Sequence, residues 1–221
     1  MRFGRIAVFA GVMLLSVGAA NATPITSLSA LYADDSIGWQ QLGNDDTFMV
    51  GGDGVLSVNH LHAVIDSGGN SFLRVNQGQS WRGNFAPGEK LMWTNTIGPD
   101  ITIRFDAPVY GVGAQIQSQY LGAFTAKITL SDGTLYSFIG NSTQAADNSA
   151  IFVGALDDVA GIKSIRFELQ PFSGHPSDLA IGTLYLNTKG VPVPEPLTLS
   201  VFGTGAVVLG AWRRRNRKVP Q

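Results

Sequence analysis

Phe124-Thr-Ala-Lys-Ile-Thr-Leu130 runs into Ser131-Asp-Gly-Thr134 and continues as Leu135-Tyr-Ser-Phe-Ile139. In the first segment Phe124, Ala126, Ile128 and Leu130 alternate with Thr125, Lys127 and Thr129. A period of two is the strand period, with the apolar set on one face and the polar set in water. Ser131-Asp-Gly-Thr134 separates two apolar runs, and Gly133 can take a positive φ at no steric cost. The stretch predicts an antiparallel hairpin.

The same alternation recurs on either side. Ile101, Ile103 and Phe105 alternate with Thr102 and Arg104, and Ile165, Phe167 and Leu169 with Arg166 and Glu168. Further strands are expected at Ser71–Asn76, Val109–Gln117, Leu135–Ile139, Ile151–Ala155 and Leu179–Leu186. Ala86-Pro87-Gly88, Gly98-Pro99-Asp100 and Gly174-His175-Pro176 punctuate them. One helical turn is expected around Ser27–Ala33. Glutamate is scarce, limited to Glu89, Glu168 and Glu195, while Gly, Thr, Ser and Val abound, which disfavours long surface helices. No internal repeat of fixed period is present, which argues against propellers and solenoids. The expected fold is all-β, an antiparallel β-sandwich of jelly-roll type.

The 221 residues include no cysteine, which excludes disulfide scaffolds, Cys-based zinc sites, iron–sulfur clusters and thiol nucleophiles. The formal charge of −1 is an average over unlike parts. Setting aside Arg2, Arg5, Glu195 and the five bases of the C-terminal tail leaves residues 23–190 with 8 basic and 15 acidic side chains, net −7. Such a domain offers no clustered basic face, so nucleic acid is not an expected partner.

Both ends read as targeting segments. Arg2 and Arg5 precede an apolar run from Ile6 to Val17 and then Ala20-Asn21-Ala22. This is the charged, apolar and A-x-A order of a signal peptide, residues 1–22, with cleavage expected after Ala22. At the other end, Val191-Pro-Val-Pro-Glu-Pro196 predicts an extended linker over 191–196. Leu197 to Trp212 carries no charge, and at ~1.5 Å per residue it reaches about 24 Å as a helix. Arg213, Arg214, Arg215, Arg217 and Lys218 lie in the tail 213–221 beyond it. Snorkelling arginines and an interfacial Trp212 let the short span serve as a single transmembrane helix, with the basic tail cytoplasmic and the domain outside.

The order of Pro194-Glu195-Pro196, a Gly-containing apolar segment and a terminal Arg cluster resembles the PEP-CTERM sorting signal of Gram-negative bacteria that make exopolysaccharide. The likeness covers about the last 28 residues. It implies that the tail holds the exported chain in the inner membrane until exosortase cuts near Pro194-Glu195-Pro196, with Arg213–Arg215 as the membrane stop. Delivery to the cell surface or extracellular matrix would follow. Trp39-Gln-Gln-Leu-Gly43, Trp81-Arg-Gly-Asn-Phe85, Pro108-Val-Tyr-Gly-Val-Gly-Ala114 and Ala150-Ile-Phe-Val-Gly154 are similar to phrases in passengers of this signal. That likeness supports the fold and implies no active site. A non-catalytic structural or adhesive role linked to exopolysaccharide is the expected function, with a carbohydrate-binding module as the alternative and a secreted hydrolase behind it.

Within 23–190 the candidate chemistry is sparse. Trp39, Trp81, Trp93, Tyr110, Tyr120 and Tyr136 offer flat faces for stacking on sugar rings, provided two share an exposed sheet face; a place in the core suits them equally. His60 and His62 form H-x-H, which on a strand would face one way, with His175 or Asp66 as a third metal ligand. Solvated loop histidines are the plainer reading. The pairs Asp34-Asp35, Asp45-Asp46 and Asp157-Asp158 lie near turns. A structural calcium would need them to converge from separate loops, since no EF-hand spacing is present. Neither a metal nor an organic cofactor is expected. No G-x-S-x-G, no H-E-x-x-H and no phosphate loop is found, and nothing locates the raised-pKa carboxyl that a glycosidase needs. The chain does not read as an enzyme.

Overall fold

The hairpin expected from residues 124–139 is present, and its strands extend further than the alternation alone indicates. In this computed structural model, which describes residues 22–66, 71–95, 100–170 and 178–191, they run Gly122–Leu130 and Leu135–Ser142. Gly133 takes φ +87° and donates its N–H to the Leu130 carbonyl at 3.0 Å. The Asp132 carboxylate accepts from the Thr134 N–H at 2.8 Å and its hydroxyl at 2.9 Å, so the turn closes by local chemistry.

In chain order the strands are β1 (Thr23–Ile25), β2 (Asp35–Ile37), β3 (Thr47–Val50), β4 (Gly54–Leu56), β5 (His62–Asp66), β6 (Ser71–Asn76) and β7 (Lys90–Trp93). They continue as β8 (Asp100–Val109), β9 (Gly111–Ser118), β10 and β11 of the hairpin, β12 (Ile151–Leu156), β13 (Ile162–Leu169) and β14 (Leu179–Asn187). The expected helical turn is α1 (Leu28–Leu31), capped by the Ser27 hydroxyl, which accepts the Ala30 N–H at 3.3 Å. A 3-10 turn at Trp39–Leu42 was not signalled by the sequence pattern. Nor were β1 to β5 and β7, five of which have only three or four residues and cannot display a period. The strand expected at Val109–Gln117 is broken at Tyr110, leaving Val109 to β8.

All pairing between these strands is antiparallel. One sheet runs β1-β12-β9-β14-β7-β6-β3, with β2 added beside the second half of β14, and the other runs β11-β10-β13-β8-β5-β4. They face each other across one core, to which the first sheet gives Val112, Ala114 and Ile116 and the second Ile103, Ile128 and Phe167. On β8, β10 and β13 of the second sheet the outward set is mostly polar, including Arg104 and Arg166, as the alternation predicts, whereas Leu56 of β4 and Leu135 and Ile139 of β11 are exposed.

The first sheet is apolar on both faces over half its width. Leu73 and Val75 of β6, Leu91 and Trp93 of β7 and Ala180 of β14 point away from the main core. The segment 77–89 folds over them and inserts Trp81 and Phe85, making a second apolar cluster. Trp81 is 1% exposed, with its ring 5.5 Å from Trp93 and 6.4 Å from Phe85, centroid to centroid.

Thr23 pairs with Leu156, Leu156 with Gly111, and Gly111 with Asn187, so the first and last strands meet at one end of the sandwich. Ala20, the segment 197–212, Pro194-Glu195-Pro196 and the basic tail lie outside the described residues. Ala22 is described: it is buried, and its carbonyl accepts the Tyr136 hydroxyl. No helix among the described residues is long and apolar enough to cross a membrane.

Replacing Trp81 with Ala empties the centre of the second cluster and is expected to cost about 3–5 kcal/mol. Phe48, whose side chain is exposed on β3, should tolerate Ala within about 0.5 kcal/mol. Thermal unfolding of the two variants checks the contrast.

Candidate functional site

The uncovered half of the first sheet's outer face is a groove. Its floor is β9, β12 and β14, where Gly113 and Gly154 sit side by side. A Cβ on Gly113 would fall 2.7 Å from the Phe152 ring, and one on Gly154 would fall 2.6 Å from the Val112 carbonyl oxygen. Only glycine lets the Phe152 ring settle against the sheet here. Tyr185 of β14 lies beside it, ring centroids 6.4 Å apart and planes at 46°. Both rings are half-buried.

Two depressions adjoin at Leu28 and Tyr185. The first, about 450 Å³, is lined by Ala86, Glu89, Gln115, Asn148, Phe152 and Thr183 besides those two. The second, about 480 Å³, is bounded by Tyr32, Asp34, Asp35, Ser36 and Val58. Helix α1 places Leu28 and Tyr32 there: Leu31 packs against Gly111, and Asn187 donates its side-chain amide to the Leu31 carbonyl at 3.0 Å. Tyr32, at φ +51°, ends the helix in a left-handed conformation and is 56% exposed. Tyr32 shares the second depression with Tyr185.

The polar wall is set by two loops locked together. Asn84 and Gln117 exchange hydrogen bonds, the Asn84 N–H reaching Gln117 Oε1 at 2.6 Å and Gln117 Nε2 reaching Asn84 Oδ1 at 2.8 Å. The Asn84 side chain also donates to Thr143 Oγ1 and to Ser149 Oγ, both at 2.7 Å. This buried network ties segment 77–89 to loop 143–150, and those segments supply Glu89 and Asn148 to the groove. Asn148, at φ +62°, receives Gln115 Nε2 on its carbonyl and its Oδ1 at 3.2 and 3.1 Å.

Glu89 is the chemically distinctive group. Its Oε1 accepts the Thr183 N–H at 3.3 Å and its Oε2 the Ala86 N–H at 3.2 Å. Burial pushes its carboxyl above the ordinary value, and those two hydrogen bonds offset the rise only in part. Tyr185 is likewise raised, by burial first and by the Glu89 charge second.

The aromatics expected to stack do not form the platform. Trp39 and Trp81 are core residues, and Trp39 Nε1 donates to the Gly182 carbonyl at 2.7 Å. Trp93 is partly buried against the second cluster and donates to Asp178 Oδ1 at 2.5 Å. Tyr110 packs under Gly190, and Tyr136 binds the Ala22 carbonyl. Tyr120, half-buried, donates its N–H to Ser118 Oγ at 3.1 Å. The rings that line the groove are Phe152 and Tyr185, and their phase in the sequence could have found them: Val153 after the first faces inward, as do Leu184 and Leu186 around the second.

The acidic pairs are turn chemistry. Asp34 binds Thr188 and Lys189; burial alone would raise its carboxyl, but these partners hold it below the ordinary range. Asp35 accepts from Ser57, Asn59 and Ser36, Asp45 from Asn76 and Ser80, and Asp157 from Val159. His60, at φ +67°, lies in a turn before β5, so His60 and His62 do not share a strand face. His62 Nδ1 lies 2.9 Å from Asp106. Asp66 pairs with Arg104 at 3.3 Å, and His175 lies outside the described residues. Among the described residues no three His, Asp or Glu side chains gather as a metal requires.

No protein-family model and no curated protein sequence matches the chain. Among solved structures it is similar to a carbohydrate-binding module, CsCBM6-3 from Clostridium stercorarium in complex with cellobiose, at 15% identity and a TM-score of 0.29. The match covers 54% of this chain and 95% of the module.

Glu89 gives a pH signature. A carboxyl whose folded pKa is raised destabilises the fold while ionised, and the penalty vanishes as pH falls below its unfolded value near 4.5. Glu89→Gln should therefore gain melting temperature relative to the parent as pH rises from about 4.5 towards neutrality. A difference that stays flat with pH, followed by calorimetry, would contradict the assignment.

Proposed function

We propose that the chain is an exported, non-catalytic surface protein whose β-sandwich holds a saccharide chain in the groove of its first sheet. The observation that carries the reading is the pairing of Phe152 and Tyr185 on one outward face, next to the amide groups of Gln115 and Asn148. Aromatic faces cover the apolar side of a pyranose, while amides and a carboxylate satisfy its hydroxyls. The strand order supports the jelly-roll reading: β7-β14-β9-β12 faces β8-β13-β10-β11, the order of two Greek keys folded together. Two adjoining depressions can seat successive units of a polymer, which fits an adhesive role linked to exopolysaccharide.

Two sequence features support export and anchoring: the signal peptide 1–22 and the tail in which Pro194-Glu195-Pro196 precedes the segment 197–212 and the arginines. On this reading exosortase processes the tail, and the inner-membrane anchor is transient. The start of β1 and the end of β14 lie at one end of the sandwich, and the groove stands on the face of the sheet rather than at that end.

Binding of the full-length protein in nonionic detergent to a panel of neutral and modified oligosaccharides tests the groove. Phe152→Ala or Tyr185→Ala should weaken binding at least about tenfold, the factor for about 1.4 kcal/mol. Unaltered affinity in both variants would reject the groove. For sorting, exchange of Pro194-Glu195-Pro196 for alanines in the host should leave the C-terminus intact by mass spectrometry and stop surface delivery. Normal processing of that variant would sink the sorting proposal.

A further inference from the structure

We infer that the groove selects saccharides bearing a free amino group, of the 2-amino-2-deoxyhexose class, with Glu89 as the receptor for the ammonium. The inference rests on the saccharide reading above and names its ligand class. The residues lining the two depressions include Glu89, Asp34 and Asp35 but no lysine, arginine or histidine. Charge is therefore present with one sign only.

The three carboxylates are not equivalent. Asp34 is neutralised by Lys189 at 3.3 Å and bound by both the N–H and the hydroxyl of Thr188. Asp35 is buried and held by Ser57, Asn59 and Ser36. Glu89 has only the two backbone N–H groups, at 3.2 and 3.3 Å, and no ion pair with Lys, Arg or His among the described residues. A carboxylate has about four acceptor positions, so roughly half of them are left for a ligand. It stands in the same depression as Phe152 and Tyr185, whose ring faces attract a cation. A carboxylate that shares a depression with two aromatic rings, half-removed from water and lacking a cationic neighbour among the described residues, is complementary to an ammonium. It is opposed to a carboxylate or sulfate on the sugar, which would meet like charge. Gln115 and Asn148 remain for hydroxyls, which every hexose supplies.

The test compares four ligands of equal length by titration calorimetry on the full-length protein: oligomers of glucosamine, N-acetylglucosamine, glucose and glucuronate. Measurements at about pH 5.5, well below the usual range of an aliphatic α-amino group, keep the amine charged even though the neighbouring sugar oxygens lower its basicity. The glucosamine oligomer should bind at least about tenfold tighter than its N-acetylated form. Raising the salt to about 1 M should shrink that ratio, since screening acts on the charged partner alone. In Glu89→Gln the ratio should fall towards one, and far-ultraviolet circular dichroism establishes that the variant is folded. The parent comparison stands by itself if that variant does not fold. Equal binding of all four ligands would overturn the amine inference and leave the saccharide groove standing. Preference for glucuronate would overturn it too. No binding to any of the four would overturn both. Binding of a lysine tetrapeptide as tight as the glucosamine oligomer would show that ammonium alone suffices, and would remove the sugar from the inference.

Discussion

The architecture turns on a one-residue slip in β14. Leu179, Ile181, Leu184 and Leu186 all face the main core, so the alternation skips a position at Gly182-Thr183. A bulge of this kind leaves backbone groups out of the ladder, and an orphaned buried one costs about 1–3 kcal/mol. Here the Gly182 carbonyl takes the Trp39 indole N–H, and the Thr183 N–H goes to Glu89. The slip also divides the far side of β14 between two partners, β7 before it and β2 after it. Without it, Leu184 and Leu186 would point to solvent and Tyr185 into the core. One backbone irregularity thus keeps the core continuous, positions the groove's tyrosine and fixes its carboxylate.

That slip also explains why the sheet is covered on one side of β14 and open on the other. Before it, Ala180 joins β6 and β7 in presenting apolar groups outward, and segment 77–89 must bury them. Towards β9 and β12, three of the outward positions are Gly111, Gly113 and Gly154, which leave Gln115 and Phe152 as the main side-chain surface to bury. A covering loop would gain little hydrophobic stabilisation there, at about 25 cal/mol per Å² of apolar area. The groove is what remains where covering is not favoured, and the Asn84–Gln117 network fixes its rim by holding the covering segment to loop 143–150.

How much of this the sequence discloses follows from length and phase. β8, β10 and β13 are long and alternate cleanly, so their edges and inward faces read directly from Ile101 to Phe105, Phe124 to Leu130 and Ile165 to Leu169. β6 is found where it is expected, at Ser71–Asn76, but its faces do not read from alternation because Phe72, Leu73 and Val75 are buried on both sides, one by the opposite sheet and one by segment 77–89. The groove was hidden for a related reason. Tryptophan is the usual stacking candidate, yet Trp39 and Trp81 are consumed in capping a bulge and filling a cluster. The partners of Glu89 come from its own turn and from a strand 94 residues away, a convergence that no local window contains.

Net charge gains a different meaning once each carboxylate is located. Asp34, Asp35, Asp45, Asp132, Asp147 and Asp157 hold turns by accepting backbone N–H groups. Asp66, Asp100 and Glu168 sit across the second sheet's outer face against Arg104 and Arg166. These roles need aspartate's short reach or an arginine in range, and they would be filled in any sandwich so rich in tight turns. Nine of the fifteen acids of residues 23–190 therefore serve turns or the second sheet's ion pairs rather than a field aimed at a partner. Glu89 differs from both sets: it is a longer side chain, tied to the bulge by one long hydrogen bond and to its own turn by another, in a depression that two rings also line. Burial disfavours its charge. The proposed ammonium would offset that cost, so on this reading a single carboxylate, rather than the sum of fifteen acids, sets the chemistry of the groove.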